Sequence, residues 1–141
     1  SMRANSYGYN DIGSTYIEVD LSSQHMYYYQ NGSIIFDSDI VSGDIRYDDR
    51  ATPPGIFTLY YKKSPDVLRG EKKPDGTYEY ETQVTYWMPF NGGFHDATWQ
   101  AYFGGDRYTY AGSHGCINMP LDAAATLYSI IDTNVPIVCF Y

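Results

Sequence analysis

The sequence predicts a mainly β domain that carries one helix near its C-terminal end. Short runs rich in tyrosine, valine and isoleucine alternate with turn residues, and Asn31-Gly32 is the strongest short hairpin signal because both residues tolerate positive φ. Tyrosine supplies 17 of the 141 residues, and its ring favours strands and half-exposed surfaces. A chain of this length can bury a sufficient core as one domain.

The first three strands are predicted to form an antiparallel meander. Residues 16–21 alternate apolar and polar side chains with the period of a strand, and residues 25–30 and 33–41 continue after tight turns. Further strand-like runs follow along the chain: residues 55–62, 78–90, 92–96 and 135–141. Residues 63–77 are rich in proline and glycine and are predicted to form an exposed loop or hairpin tip.

One helix is predicted over residues 120–132. Pro120 can occupy the first helical position, where a missing N–H costs nothing, and Asp122 in the first turn suits the helix dipole. Apolar residues recur at helical spacing on one face: Leu121, Ala124, Ala125, Tyr128 and Ile131. Residues 97–112 show no clean period and are predicted to form a loop.

The chain divides into a short leader and one folded domain. Residues 1–13 are polar and rich in glycine and asparagine, and Ser1-Met2 is typical of the scar left when a tag is removed. Residues 14–141 form the predicted domain. The sequence shows no signal peptide and no apolar run of about 18–20 residues. We therefore expect an excised domain of a longer protein, with any membrane attachment through segments outside this chain.

Charge disfavours nucleic acid as a partner. The net charge is −8, and no lysine or arginine cluster is present to contact phosphates. The acidic balance permits a cationic or amine-bearing substrate, although surface charge more often serves solubility.

Cys116 lies in a segment of small and polar residues, Gly112 to Met119. A thiol attacks as its thiolate, of which only a few per cent forms at neutral pH when the pKa is about 8.5. A nearby imidazole could take the proton, and the helix near residue 120 could add its dipole. Cys139 lies in an apolar run and is expected to be a buried small hydrophobe.

Two neighbours shape the turn before Cys116. Gly115 allows a sharp turn and close approach of a substrate because it lacks Cβ. The Cys116 N–H would then be free to face a developing oxyanion, and Ser113 can brace the local backbone.

The residues alone leave the role of the two nearby histidines open. His95 and His114 are both candidates for the base, since Cys/His pairs meet in space rather than in sequence. A turn cysteine and an exposed histidine without any catalytic role remain an alternative. A metal site of His95, His114 and Cys116 is a weak one, because structural zinc usually has four ligands and a fourth is not evident.

The motif Ser113-His114-Gly115-Cys116, followed by Ile117-Asn118, resembles the S/T-H-G-C-h-N motif of the L,D-transpeptidases (YkuD domain). The likeness extends from about residue 15 to residue 141. Further segments that resemble the family, several of them its Gram-positive branch, are residues 17–24, 41–43, 51–57, 86–90, 95–97, Trp99, 122–128 and 135–138.

The resemblance implies a mixed β-sheet sandwich or barrel and a peptidoglycan L,D-transpeptidase. Cys116 would attack a tetrapeptide stem, release D-Ala and form a thioester, which a second stem's amine would convert to a 3→3 cross-link. It implies carbapenem inhibitors, no metal or cofactor, a role in peptidoglycan biosynthesis and cell shape, and a secreted protein of the cell wall. The alternatives are an L,D-carboxypeptidase, a sortase-like enzyme and a non-catalytic wall-binding module.

The resemblance also assigns roles to residues. His95 matches the catalytic base, oriented by a backbone carbonyl in preference to the Asp96 carboxylate. His114 matches the second histidine, either structural, through a ring N–H bond to backbone, or a proton relay. Ser113, Gly115 and Asn118 are motif positions that hold the site together. The expected substrate-binding wall of the cleft consists of Tyr86, Trp87, Met88, Phe90, Gly93 and Trp99.

Overall fold

The computed structural model describes residues 12–141, so the predicted leader at residues 1–13 lies almost wholly outside the described residues. The strands of this range are β1 (Tyr16–Asp20), β2 (His25–Gln30), β3 (Ser33–Asp39), β4 (Gly55–Thr58), β5 (Asp66–Arg69), β6 (Glu81–Val84), β7 (Trp87–Pro89), β8 (Gly93–Asp96), β9 (Ile117–Met119) and β10 (Pro136–Phe140). The helices that bear on the site are α1 (Tyr108–Ala111) and α2 (Leu121–Ile130). The mainly β class predicted from the sequence is confirmed.

The larger sheet has the strand order β3-β2-β1-β10-β4. Its first three strands form the predicted antiparallel meander, and Asn31 and Gly32 adopt φ values of 50° and 83° in the turn between β2 and β3. β10 pairs in parallel with β1, which makes the sheet mixed. The C-terminal strand is therefore an interior strand of the sheet, between β1 and β4.

The smaller sheet has the order β7-β8-β9 and carries the motif segment at its edge. β8 runs antiparallel to β7 and parallel to β9, with His95 opposite Asn118. β5 and β6 form a separate hairpin, so of the loop or hairpin tip predicted for residues 63–77, residues 66–69 are a strand and residues 70–77 belong to the tip.

One hydrophobic core joins the two larger sheets and α2. The larger sheet contributes Ile17 and Ile137, the smaller sheet contributes Phe94 and Ile117, and α2 contributes Leu127, all fully buried. Because side chains from both sheets meet in one cluster, the architecture is a sandwich, as predicted. Within residues 12–141, neither α1 nor α2 has the length and apolarity needed to span a bilayer.

Three details differ from the sequence prediction. α2 begins at Leu121, with Pro120 just before it in an extended conformation, and Leu121 is 44% exposed rather than part of the buried face. α1 lies in the segment predicted as a loop, because four residues are too few to show a helical period.

The strand predicted over residues 78–90 is divided into β6 and β7. The backbone N–H groups of Thr85 and Tyr86 donate to the Asp96 carboxylate at 2.8–3.0 Å. A side chain therefore satisfies donors that a continuous strand would have directed to a neighbouring strand.

Candidate active site

Parallel pairing of β8 and β9 brings His95 and Cys116 to one face of the smaller sheet. Cys116 immediately precedes β9, and Asn118, two residues later, lies opposite His95. Side chains two residues apart along a strand point to the same face. The sheet therefore places the thiol, the carboxamide and the imidazole together, as the sequence predicted for the first and last.

These side chains open on a cavity of about 440 Å³. His95, Ser113, His114, Cys116 and Asn118 all line it, so the structure gathers the predicted catalytic and motif residues in one place. The opposite walls come from the loop after β3, from the β5–β6 hairpin and from the segment around α1, and include Asp44, Arg46, Arg50, Leu68, Tyr80, Thr82, Trp99, Gln100, Arg107 and Tyr110.

His95 is held in one tautomer by its own strand. Its Nδ1 lies 2.8 Å from the backbone carbonyl oxygen of Asp96. Because a carbonyl only accepts, Nδ1 carries the proton and Nε2 is left as the basic nitrogen. The Asp96 carboxylate is engaged by Thr85 and Tyr86, so the orienting group is the backbone carbonyl, in agreement with the sequence analysis.

Burial favours the neutral form of both the His95 imidazole and the Cys116 thiol. Burial lowers the pKa of His95 below its ordinary value, and this effect exceeds the opposite effects of the hydrogen bond to Asp96 and of its charge. Cys116 is partly exposed as a residue, yet the dense surroundings of its thiol raise its pKa to about 12. Burial therefore favours a neutral thiol beside a neutral imidazole, and it opposes the larger thiolate share that a nearby imidazole and the helix dipole were expected to give.

The turn before Cys116 is tied by hydrogen bonds to the Ser113 hydroxyl. Ser113 Oγ donates to the Cys116 carbonyl at 2.5 Å and accepts the Gly115 N–H at 3.0 Å. Gly115 has φ 137°, a conformation that side-chain-bearing residues rarely adopt. These contacts form the brace that was expected of Ser113 and the turn that was expected of Gly115.

Thr52 secures the same turn from the loop that precedes β4. Its hydroxyl donates to the Gly115 carbonyl at 2.8 Å and accepts the Gly43 N–H at 2.9 Å. The backbone is packed so closely here that a Cβ on Gly43 would lie 1.8 Å from the Arg50 carbonyl oxygen. Thr52 lies in the segment 51–57, which resembles the family, but nothing local in the sequence indicates its hydrogen-bond partners.

His114 is exposed and contacts the hairpin rather than the backbone. Its ring lies 5.2 Å from that of Tyr80, and within residues 12–141 its ring nitrogens have no hydrogen-bond partner. The predicted ring-to-backbone bond is therefore not found. Tyr80 was missed because it lies in a tyrosine-rich run with no distinguishing pattern.

Asn118 combines a paired backbone with a buried, unpaired side-chain oxygen. The residue is 1% exposed, and its backbone exchanges hydrogen bonds with Val41 at 2.8 and 2.9 Å. Its Oδ1 accepts no hydrogen bond from the described part of the chain. Asn118 thus anchors β9, as expected of a residue that holds the site together, and it also lines the cavity.

Most of the residues predicted to form the cleft wall lie elsewhere. Trp99 lines the cavity, is 53% exposed and has its ring 5.9 Å from that of His95. The Trp87 ring packs against the same imidazole in a tilted arrangement, with ring centres 5.9 Å apart, but Trp87 does not line the cavity. Trp87 therefore contacts the imidazole from outside the cavity.

The other four predicted wall residues belong to the interior. Tyr86 packs on Tyr128 with ring centroids 5.2 Å apart, while Met88, Phe90 and Gly93 are buried. None of the four lines the cavity around Cys116, which argues against contact with a substrate bound there. A sequence rich in aromatic residues does not reveal which of them the two sheets enclose.

Neither a metal centre nor a disulfide is formed by residues 12–141. No group of three or more His, Cys, Asp or Glu side chains in this range is arranged to hold a metal ion. Cys116 and Cys139 are both free thiols, and Cys139 is fully buried in β10. Cys116 is therefore the cysteine that a substrate can reach.

A free cysteine and a tautomer-fixed histidine share one cavity of this β-sandwich, an arrangement that suits an acyltransferase. The family model of the YkuD L,D-transpeptidase catalytic domain matches residues 14–139. The chain belongs to this family, as the motif around Cys116 predicted.

Solved structures agree with this assignment. A crystal structure of a cysteine-to-serine mutant of the Enterococcus faecium L,D-transpeptidase is 40% identical to the chain, with a TM-score of 0.81, and the match covers 92% of this chain and 50% of that chain. The NMR structure of the catalytic domain from E. faecium is 42% identical, with a TM-score of 0.75, over 89% of this chain and 96% of that chain.

A third structure, the E. faecium catalytic domain acylated by ertapenem, is 42% identical with a TM-score of 0.74 and covers 90% of this chain and 97% of that chain. The present chain spans about half the length of the first of these relatives. No curated protein sequence is significantly similar to the chain.

Proposed function

We propose that this chain is the catalytic domain of a peptidoglycan L,D-transpeptidase that forms 3→3 cross-links through a thioester on Cys116. The observation that carries the proposal is the shared cavity of Cys116 and His95, with Nδ1 of His95 fixed on the Asp96 carbonyl. That arrangement leaves a basic nitrogen on the same sheet face as Cys116. Cys116 is partly exposed, whereas Cys139 is buried.

In the acylation step the thiol attacks the carbonyl between the third residue and the terminal D-Ala of a tetrapeptide stem. The Sγ–C bond forms as Nε2 of His95 takes the thiol proton, so neither group must be charged beforehand. Charge gathers on the carbonyl oxygen, for which the Cys116 N–H is the proposed donor. The imidazolium then protonates the leaving amine, the C–N bond breaks and D-Ala departs.

In the second step the side-chain amine of another stem attacks the thioester. Nε2 of His95 accepts a proton from the attacking amine and returns it to the departing sulfur, which restores the neutral thiol. An amide replaces the thioester, and the two stems are linked. Water in place of the amine would give an L,D-carboxypeptidase.

The cellular location and the inhibitors of the enzyme belong to the same proposal. Peptidoglycan lies outside the cytoplasmic membrane, so an enzyme with this substrate acts on the extracellular side, in wall biogenesis and cell shape. The similarity to an E. faecium domain described as acylated by ertapenem supports carbapenems as acylating inhibitors of Cys116.

Two cysteine variants test the proposal with a defined disaccharide-tetrapeptide and intact-mass analysis. Wild-type protein and Cys139→Ala are expected to release D-Ala, form dimers of the peptide and gain the mass of one carbapenem. Cys116→Ala is expected to do none of these, because it alone lacks the accessible sulfur. The Cys139→Ala variant is the matched control, because Cys139 is fully buried in β10.

The products also separate the rival functions. Release of D-Ala without dimers, even at high acceptor concentration, would replace the transpeptidase by a carboxypeptidase. Binding of peptidoglycan without D-Ala release or a carbapenem adduct would indicate a wall-binding module. Labelling that is lost in a folded Cys139→Ala protein would contradict the assignment of the nucleophile.

A further inference from the structure

The cavity carries positive charge in a chain whose net charge is −8. Three arginines line it, Arg46, Arg50 and Arg107, against one carboxylate, Asp44. Arg46 already pairs with Asp44 at 2.8 Å. Among residues 12–141, neither Arg50 nor Arg107 has a carboxylate within salt-bridge distance. A locally cationic cavity in an acidic protein favours an anionic group on the ligand.

Arg107 is held in place by three neighbouring side chains. Its Nε donates to Gln100 Oε1 at 2.8 Å, and the Gln100 amide in turn donates to the Ala111 carbonyl at 3.1 Å. The guanidinium carbon lies 5.4 Å from the Tyr102 ring centre and 5.5 Å from that of Tyr110. The two tyrosine hydroxyls are hydrogen-bonded to each other. These contacts order the side chain before any ligand arrives.

The terminal nitrogens of Arg107 remain available. They donate to no group of the described chain, while Nε donates to Gln100 and the guanidinium lies beside the two tyrosine rings. A planar fork of this kind matches a carboxylate with two parallel hydrogen bonds. Because the side chain is already ordered, less conformational entropy is lost when a carboxylate binds.

We propose that Arg107 binds a carboxylate of the acyl-donor stem peptide and thereby selects donors that carry it. The inference rests on the proposed function, since it names the part of that substrate which this side chain meets. A tetrapeptide donor with lysine as its third residue offers two carboxylates, the terminal one of D-Ala and the α-carboxylate of its glutamyl residue. Arg107 acts as a specificity-determining residue and takes no part in proton transfer.

Arg50 is the competing cation. It stacks on Tyr47 with its guanidinium carbon 4.5 Å from the ring centre, and it also borders a second cavity along the β5–β6 hairpin. No side chain of residues 12–141 fixes its guanidinium by a hydrogen bond, in contrast to Arg107. The prearranged geometry therefore favours Arg107.

The test compares three donors: the free tetrapeptide, its C-terminal amide, and the peptide with its glutamyl α-carboxylate converted to an amide. Turnover is followed as kcat/KM for release of the terminal residue. Wild-type protein is expected to prefer the free tetrapeptide over one of the two amides by about 10- to 100-fold, as for a charge-assisted hydrogen-bond pair. The amide that reacts poorly identifies the carboxylate.

Arg107→Gln is expected to process the free peptide and that amide at similar rates. Arg69→Gln is the matched control, because Arg69 is also stacked on a tyrosine but pairs with Glu81 outside this cavity. It is expected to keep the wild-type preference. Labelling of Cys116 by iodoacetamide, a neutral reagent, checks that the variant site is intact.

Calorimetric binding of the three peptides to Cys116→Ala, with and without Arg107→Gln, tests carboxylate recognition without turnover. If no donor is processed but binding still discriminates through Arg107, the proposed function fails and the inference stands. A preference unchanged in Arg107→Gln, by turnover and by binding, overturns the inference. A preference lost only in Arg50→Gln overturns it in favour of Arg50.

Discussion

The neutral state of Cys116 follows from where the thiol lies. Burial alone raises its pKa to about 12, and burial lowers that of His95, because each group loses solvation mainly in its charged form. A preformed thiolate-imidazolium pair would have to offset both losses. The site is instead suited to transfer the proton during the attack, when the developing charge is shared with the substrate.

The rate of carbapenem acylation should therefore be nearly flat from about pH 8 down to about pH 6.5 and fall only at lower pH. The imidazole is the base in its neutral form, and its lowered pKa keeps that form present to more acidic pH than in a free histidine. Stopped-flow absorbance of the carbapenem at a series of pH values gives this profile.

Two histidine variants serve as controls for the pH profile. His95→Ala should lose the plateau, with a residual rate that rises with pH as thiolate forms. His114→Ala should keep the plateau whatever its effect on the absolute rate, since its contact is the Tyr80 ring. A wild-type rate that climbs about tenfold per pH unit through neutrality would contradict the role of His95.

The role of a single residue could be predicted from the sequence where it depends on residues close by in the chain. The roles of Ser113 and Gly115 could be predicted because a hydroxyl and a glycine act within one turn. Thr52 and Tyr80 could not be assigned because their partners, Gly115 and His114, are distant along the chain. Only the fold shows that Thr52 reaches Gly115 or that Arg107 faces the cavity.

The turn at residues 113–116 is held by hydrogen bonds from a distant part of the chain. Ser113 exchanges backbone hydrogen bonds with residues of the loop after β3: its N–H donates to Ser42 and its carbonyl accepts from Asp44, both at 3.0 Å. Thr52 adds the only side-chain hydrogen bond from that loop to the Gly115 carbonyl among the described residues. The position of Cys116 therefore depends on chain segments far from it in sequence.

Thr52→Val should loosen this turn and lower the acylation rate by about 10²-fold, the order expected for a displacement near 1 Å. Valine keeps the shape of threonine but leaves the Gly43 N–H and the Gly115 carbonyl unpaired, which should also cost about 1–3 kcal/mol of stability. Acylation kinetics and urea unfolding measure the two effects.

Thr52→Ser is the matched control, since it retains the hydroxyl and should keep both the rate and most of the stability. An unchanged acylation rate in a folded Thr52→Val protein would show that the turn is rigid without this bond. Equal losses in the serine and valine variants would assign the effect to the methyl group.

Whether a helix or strand could be predicted depended on how strong its local sequence pattern is. The hairpin at Asn31-Gly32 and α2 were predicted because each has a strong local signature. α1 is too short to show a period, and the break between β6 and β7 depends on the Asp96 carboxylate, which comes from another strand. Burial of Met88 and Phe90 depends on packing between sheets, which the aromatic composition did not show.

The whole molecule supports the site through one core shared by the two larger sheets. β10, the final strand, lies between β1 and the edge strand β4 of the larger sheet, away from the cavity. Its side chains nevertheless pack in the same cluster as Phe94 and Ile117, which flank His95 and Cys116. Loss of packing in the distant sheet should therefore disturb the site only by unfolding the domain.

Ile137→Ala tests this coupling. Ile137 is fully buried and lies between Ile17 and Phe57 on the neighbouring strands, so truncation should cost about 2–5 kcal/mol. Ile34→Ala, at a position 50% exposed, is the control and should stay within about 0.5 kcal/mol of wild type. In urea, tryptophan fluorescence and carbapenem labelling should be lost at one lowered midpoint, as in a two-state transition. Labelling that outlasts the fluorescence change would show that the smaller sheet keeps the site without the larger one.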